Sequence, residues 1–138
     1  MPNGIDLVLA DHQLVNELFD RFDSDRTGAT VGLIVAALMA HDDAEQAALY
    51  PIVGTLLGDL DVVERAEAAH SLVKKQLDQM ASLEGEALVA AAQVLRELVT
   101  EHVADEEQNI LPALAGVATP QQLDAFGARF LQAKQRGG

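Results

Sequence analysis

The chain contains four histidines, and each lies on the apolar stripe of a different long helical segment. A single histidine among apolar residues is usually a satisfied core residue, but packing alone does not readily explain one in each of four segments. Imidazole nitrogens are good ligands for iron, manganese and zinc. The candidate ligands of this type are His12, His41, His70 and His102.

Two of these histidines are followed, four residues later, by a glutamate: His41 by Glu45, and His102 by Glu106. Residues four apart share one face of a helix, about 6 Å apart along its axis. A buried carboxylate without a partner is costly, and a cation between the helices would supply the missing charge. Either motif alone is equally explained by a polar contact at the surface, so only their combination indicates a metal site.

The chain also repeats itself. Residues 10–15 match residues 68–73, and the segment 41–51 matches the segment 102–112 in the same register. A histidine followed by a His-x-x-x-Glu motif therefore occurs twice. Two similar helix pairs facing each other would build a site with approximate twofold symmetry, offering two metal ions two histidines each and two glutamates to bridge them.

Helical periodicity predicts the elements that must position these residues. Four long segments carry apolar residues at spacings of three and four, and Ala and Leu, both strong helix formers, dominate. Turns are expected at 23–28, at Gly58-Asp59 and between Ser82 and Gly85. Pro51 should weaken the second helix, and the fourth should stop near Pro112.

A short fifth helix is predicted at about 119–135. Thr119 and Gln122 form a capping box around Pro120 at the first helical position. Its apolar face comprises Leu123, Phe126, Phe130 and Leu131. The expected fold is all-α, an up-down-up-down four-helix bundle with a short C-terminal fifth helix. We expect a single domain over 1–138, with the bundle at about 5–113.

Composition limits the partners and the compartment. The formal net charge of −13 argues against nucleic acid and anionic membranes, because phosphates need Lys and Arg. The absence of cysteine excludes disulfides and thiolate-bound metals. No apolar run is long enough to span a membrane, and the N-terminus lacks the basic start of a signal peptide. Cytoplasmic localisation is the expectation.

The combined motif resembles that of the hemerythrin-like HHE cation-binding domain family, over about residues 6–113. The resemblance implies a non-haem di-iron centre, two iron ions bridged by carboxylates and an oxygen atom. Carried over residue by residue, it implies the ligands His12, His41, Glu45, His70, His102 and Glu106.

The sequence departs from that of the oxygen-carrying hemerythrins at two positions. Those proteins have a second histidine four residues after the one on the third helix, where this chain has Lys74. Their last motif ends in aspartate five residues on, whereas this one ends in Glu106, four residues on. A missing ligand leaves a coordination position for water, peroxide, nitric oxide or another side chain, and open positions on iron favour chemistry over storage.

Tyr50 is the candidate side chain for that position, because it is the only tyrosine and lies five residues after Glu45. Its hydroxyl would act either as an iron ligand or as a hydrogen-bond donor to one. The slightly favoured alternative is a core tyrosine with its hydroxyl at the end of the bundle.

Residues around the ligands are interpreted as support. Four acidic residues flank the ligands by one position and should be solvated or contact the ligands: Asp11, Asp42, Asp105 and Glu107. Five apolar residues should form core around the centre and limit access of solvent: Phe19, Leu38, Met39, Val73 and Leu95.

The favoured function is a di-iron protein that binds or turns over O2 or hydrogen peroxide, with catalase-like activity as the enzymatic form. The alternative is a non-catalytic sensor or carrier of oxygen, nitric oxide or iron, which would need a protein partner that the sequence does not identify. A bundle without metal, or with structural zinc, is the third option. A ferritin-like carboxylate site is disfavoured because its Glu-x-x-His spacing is absent.

Overall fold

The computed structural model describes residues 2–137, which are almost entirely helical. In chain order the elements are α1 (Gly4–Asp25), α2 (Gly28–Ala44), the π-helical turn π1 (Glu45–Leu49), α3 (Tyr50–Leu57), α4 (Leu60–Met80), α5 (Gly85–Asp105), the π-helical turn π2 (Glu106–Ile110), α6 (Leu111–Val117) and α7 (Pro120–Gly137). Because α2 runs through π1 into α3, and α5 through π2 into α6, the chain forms four long helices and a C-terminal one. The expected all-α helical bundle is confirmed.

Short connections set the packing of neighbouring helices. Only Arg26 and Thr27 separate α1 from α2, because α1 continues through Asp25 further than the predicted turn allowed. The Thr27 side chain caps α2 by accepting a hydrogen bond from the Thr30 backbone N–H. Through these connections α1 packs on α2, and α4 packs on α5.

The fourth long helix continues past Pro112, where it was predicted to stop, and the second continues past Pro51, which was predicted to weaken it. Pro51 and Pro112 each lie in the first turn of the α-helix that follows a π-turn. A proline ring clashes with the carbonyl four residues earlier in a regular α-helix. The wider π-turn, closed by hydrogen bonds from the Tyr50 N–H to Glu45 O and from the Leu111 N–H to Glu106 O, lets the chain continue.

Two apolar clusters form the core. One lies around Leu49, Val53 and Leu114, and the other around Phe19, Ile34 and Leu95. The predicted core residue Leu38 is buried and Val73 is half-buried, but Met39 is 54% exposed, which corrects its assignment to the core. No helix within residues 2–137 combines the length and apolarity needed to cross a bilayer.

The C-terminal helix α7 packs against α1, α2 and π1. The predicted capping box at its start is present, with Thr119 and Gln122 exchanging hydrogen bonds. Phe126 and Phe130 are buried, whereas Leu131 is 38% exposed. The backbone at Gly4 passes so close to Phe126 that a Cβ there would lie 2.1 Å from the ring.

Candidate metal centre

The polar layer of the bundle lies between the two apolar clusters. All six predicted ligands are buried there, and the glutamates Glu45 and Glu106 are fully enclosed. Their donor atoms form two overlapping groups, each with all its atoms within 4.8 Å of one another: His12, His41, Glu45 and Glu106 in the first; Glu45, His70, His102 and Glu106 in the second. Each group contains two histidines, and both contain the same two carboxylates, so each group could hold a metal ion.

Glu106 spans the two groups. Its Oε1 lies 3.0 Å from His12 Nε2, and its Oε2 lies 3.0 Å from His102 Nε2. On the other side, Glu45 Oε1 lies 3.2 Å from His41 Nε2 and 3.0 Å from His70 Nε2. The second oxygen, Glu45 Oε2, is buried without a hydrogen-bond partner in residues 2–137. An unpaired buried carboxylate oxygen is costly, and a cation between the groups would remove that cost.

The carboxylates and histidines of the layer shift one another's pKa values towards their charged forms. Burial alone would lower the pKa of His41, but the carboxylates of Glu45 and Asp11 outweigh it and raise that pKa to about 10. Burial likewise opposes protonation of His102, and hydrogen bonds to Glu106 and Glu45 raise its pKa to about 9. Burial also opposes ionisation of Glu106, but its hydrogen bonds with His102 and His12 hold its pKa well below the ordinary value.

His70 behaves differently from the other histidines of the layer. Burial and the adjacent His102 lower the pKa of His70 to about 3. His70 is therefore neutral near pH 7, while His41 and His102 carry protons between the carboxylates. Two imidazolium groups supply part of the positive charge that a pair of metal ions would bring.

Carboxylates outside the cluster orient most of the imidazole rings. His41 Nδ1 donates to Asp11 Oδ2 at 2.7 Å, His12 Nδ1 lies 2.8 Å from Glu107 Oε2, and His70 Nδ1 contacts Asp42. When such a ring is neutral, a proton on Nδ1 leaves the Nε2 lone pair directed at the cluster, as in metal-binding histidines of other proteins. Asp105, predicted with these residues, instead binds Arg65 through two hydrogen bonds of 3.0 Å.

Tyr50 belongs to the apolar cluster around Leu49, as expected of a core tyrosine, but its hydroxyl lies within the polar layer and not at the end of the bundle. Its Oη is 2.7 Å from His70 Nε2 and donates to Glu106 Oε2 at 3.2 Å and to Glu45 Oε1 at 3.4 Å. Burial and the two carboxylates raise the pKa of Tyr50 above its usual value, so the phenol keeps its proton while no metal is bound.

A cavity of about 110 Å³ leads to the cluster and touches all four histidines. Its inner wall is apolar, with Val15, Leu38 and Val99 among its residues. Exposed residues at its outer end are Met39, Asp43, Lys74 and Asp78. Lys74, at the position where the resemblance led us to look for a further histidine, lines this cavity.

Two contacts from α7 were not predicted from the sequence. Lys134 binds Asp11, the carboxylate that orients His41. The Phe130 ring packs edge-on against the His41 ring, with their centroids 5.9 Å apart. The apolar face of the fifth helix was visible in the sequence, but nothing in its spacing indicated which pair of helices it would cover.

Comparison with known proteins agrees with this geometry. The family model described as the hemerythrin HHE cation binding domain matches residues 3–114. The chain belongs to this family. Family membership, the buried His and Glu residues and the unpaired Glu45 oxygen all fit a metal centre at this layer.

A relative from Nostoc sp. strain PCC 7120, named DNA nickase, is 28% identical over 137 residues, which cover 95% of this chain and 39% of the relative. The HHE chain thus spans about two-fifths of the length of that relative. No solved structure matches the HHE chain. Given the relative's name, the expectation that nucleic acid is not a partner is not confirmed.

Proposed function

We propose that this HHE protein holds two iron ions between Glu45 and Glu106 and that it binds or turns over small oxygen species, O2 or hydrogen peroxide. Catalase-like removal of peroxide is the activity we favour. The observation that supports the proposal is the pair of overlapping ligand groups, two histidines each, around two shared and fully buried carboxylates. Imidazole with carboxylate is a ligand set that suits iron.

In this proposal each side chain has a defined task. His12 and His41 would hold one ion and His70 and His102 the other, with Glu45 and Glu106 available to both. Bound there, a pair of irons supplies redox chemistry that no side chain of the protein can provide. Tyr50 is the proposed additional ligand, or else it donates a hydrogen bond from Oη to whatever binds between the ions.

The size and lining of the cavity favour a small, uncharged ligand. At about 110 Å³ it has room for only a few non-hydrogen atoms, and its apolar inner wall does not compensate the desolvation of an ion. At its outer end the carboxylates of Asp43 and Asp78 outnumber the ammonium group of Lys74, which disfavours anions. O2, hydrogen peroxide and nitric oxide all meet these conditions, whereas organic substrates of ordinary size do not.

A non-catalytic sensor or carrier of oxygen, nitric oxide or iron is the second candidate. The Nostoc relative favours it, because the matched segment is only 39% of a longer chain and a domain in that setting could transmit a binding event. Action on DNA is not proposed, because the net charge of −13 opposes binding to phosphates.

Metal analysis combined with a peroxide assay tests the proposal. We expect two irons per chain, and we expect the iron-loaded protein to consume hydrogen peroxide while the metal-free protein does not. One metal per chain, or preference for zinc when both are supplied, would contradict the di-iron centre. If the iron-loaded protein consumes peroxide no faster than free iron does, the enzymatic function is contradicted and the carrier or sensor is favoured.

A further inference from the structure

We infer that the two metal positions are unequal, and that the ion between His70 and His102 is held more weakly because Ala69 stands where the repeat would place a carboxylate for His102. This inference rests on the proposed metal centre. It concerns the residues behind the ligands and not the ligands themselves.

The internal repeat identifies the missing group. In the first half, Asp11 of α1 accepts a hydrogen bond of 2.7 Å from Nδ1 of His41 on α2. In the second half, α4 takes the place of α1 and α5 that of α2, so Ala69 corresponds to Asp11 and His102 to His41. A methyl group cannot accept a hydrogen bond, so His102 has lost this partner.

The structure leaves the partner's place open. His102 Nδ1 is buried and has no hydrogen-bond partner within residues 2–137. Ala69 and His102 both line one groove of about 440 Å³ between α4 and α5. In the matching position of the first half, Asp11 is buried and is itself held by Lys134 from α7.

The other two histidines show the same inequality in weaker form. His12 Nδ1 lies 2.8 Å from Glu107 Oε2, although the repeat would have placed Val103 opposite it. His70 Nδ1 lies against Asp42, but neither this nitrogen nor Asp42 Oδ1 has a hydrogen-bond partner within residues 2–137. The difference between the two positions is clearest in the pair His41 and His102.

A carboxylate on Nδ1 fixes the ring and raises its basicity, and loss of such a group typically lowers metal affinity about 10- to 100-fold. We therefore expect ferrous iron to bind in two phases that differ by about tenfold or more. The tighter phase belongs to His12 and His41, and the weaker phase to His70 and His102.

The test is an anaerobic titration of the full chain with ferrous iron against a chromophoric chelator. Ala69→Asp should tighten the weaker phase about tenfold and leave the tighter one in place. Ala68→Asp is the matched control, because it adds the same charge to the same groove but is turned about 100° around the helix. Asp11→Asn should weaken only the tighter phase.

A single binding phase in the unmodified protein, or equal shifts from Ala69→Asp and Ala68→Asp, would overturn the inference while leaving the metal centre intact. Failure to bind iron at all would instead remove the proposed function. If Ala69→Asp does not fold, Ala69→Asn supplies an uncharged acceptor and should give a smaller shift in the same direction. If Ala69→Asn leaves the affinity of the weaker phase unchanged, the inference is contradicted.

Discussion

The position of Tyr50 depends on the π-turn that precedes it. Five residues along an α-helix correspond to a rotation of about 140° beyond a full turn, which would carry Tyr50 away from the face of Glu45. A π-turn instead pairs residues five apart, as the hydrogen bond from the Tyr50 N–H to Glu45 O shows. The hydroxyl consequently lies 2.7 Å from His70 Nε2.

We predict that Tyr50→Phe abolishes a visible charge-transfer band of the ferric protein, because a phenolate bound to ferric iron absorbs in that range. Metal analysis is the control and should still give two irons, since all six other ligands remain. An unchanged visible spectrum would mean that Tyr50 donates a hydrogen bond and does not bind iron.

At this scale the sequence indicated the ligand residues better than their neighbours. The four histidines and two glutamates converge as their shared helical faces predict. The place of the Tyr50 hydroxyl did not follow from the sequence, because it depends on a π-turn that residue spacing does not reveal. The contact of Lys134 with Asp11 could not be predicted, since it joins residues 123 positions apart across a packing that spacing does not specify.

Among the elements, α7 couples most directly to the site. It contributes Phe130 against His41 and Lys134 against Asp11, and its docking requires the close approach of Gly4 to Phe126. The N-terminus of α1 and the middle of α7 are therefore fitted to each other. Any side chain at Gly4 would have to displace a buried ring.

We predict that Gly4→Ala destabilises the protein by roughly 1–3 kcal/mol, the usual cost of overpacking, because its Cβ would lie 2.1 Å from Phe126. Gly32→Ala is the control: it lies within α2 with nothing within 4 Å of the added Cβ. This second change should stabilise by about 0.5–1 kcal/mol through helix propensity. Urea unfolding measures both, and equal effects would show that α7 does not dock as described.

The predicted helix boundaries agree with the structure where capping residues marked them, and they differ from it at the prolines. Thr119 and Gln122 marked the start of α7 correctly. Pro51 was expected to weaken the second helix and Pro112 to end the fourth, yet each follows a π-turn that accommodates it. A proline is an ordinary stop signal, and only the structure shows that the preceding turn has widened.

The molecule as a whole consists of two apolar cores separated by one charged layer. Each core contains several fully buried side chains, among them Leu49 and Leu114 in one and Ile34 and Leu95 in the other. Apolar packing can therefore keep the helices formed without metal, while the layer between them carries the cost of buried charge.

We predict that each filled iron site raises the melting temperature by about 10 °C when free iron is about 100 times the Kd of that site, since this corresponds to about 2.7 kcal/mol per site in a chain of this size. The difference in melting temperature between the iron-loaded and the metal-free protein should increase as pH rises from 6.5 to about 9. The folded-state pKa values of His41 and His102, about 10 and 9, lie above the ordinary 6.5. Their stabilisation of the metal-free fold is therefore complete below pH 6.5 and is lost as pH rises through those values.

Anaerobic calorimetry across this pH range, with and without ferrous iron, provides the measurement. Glu45→Gln should reduce the difference in melting temperature between the two forms, because it removes a shared carboxylate. Glu101→Gln, on the exposed face of α5, should leave that difference unchanged. Identical melting of loaded and metal-free protein at neutral pH would show that the layer does not bind iron. An unperturbed histidine would have placed the change near pH 6.5, so the higher range reflects the adjacent carboxylates, whose effect on the pKa values outweighs that of burial.

Tyr50 is also the sole tyrosine of a chain without tryptophan. Nearly all of the protein's intrinsic fluorescence therefore originates from a ring whose hydroxyl touches His70 and both shared glutamates. In most proteins such emission averages over many environments, but here it comes from one. The unlabelled molecule thus carries its own optical probe at the centre of the polar layer, and metal loading or ligand entry can be followed from that single signal.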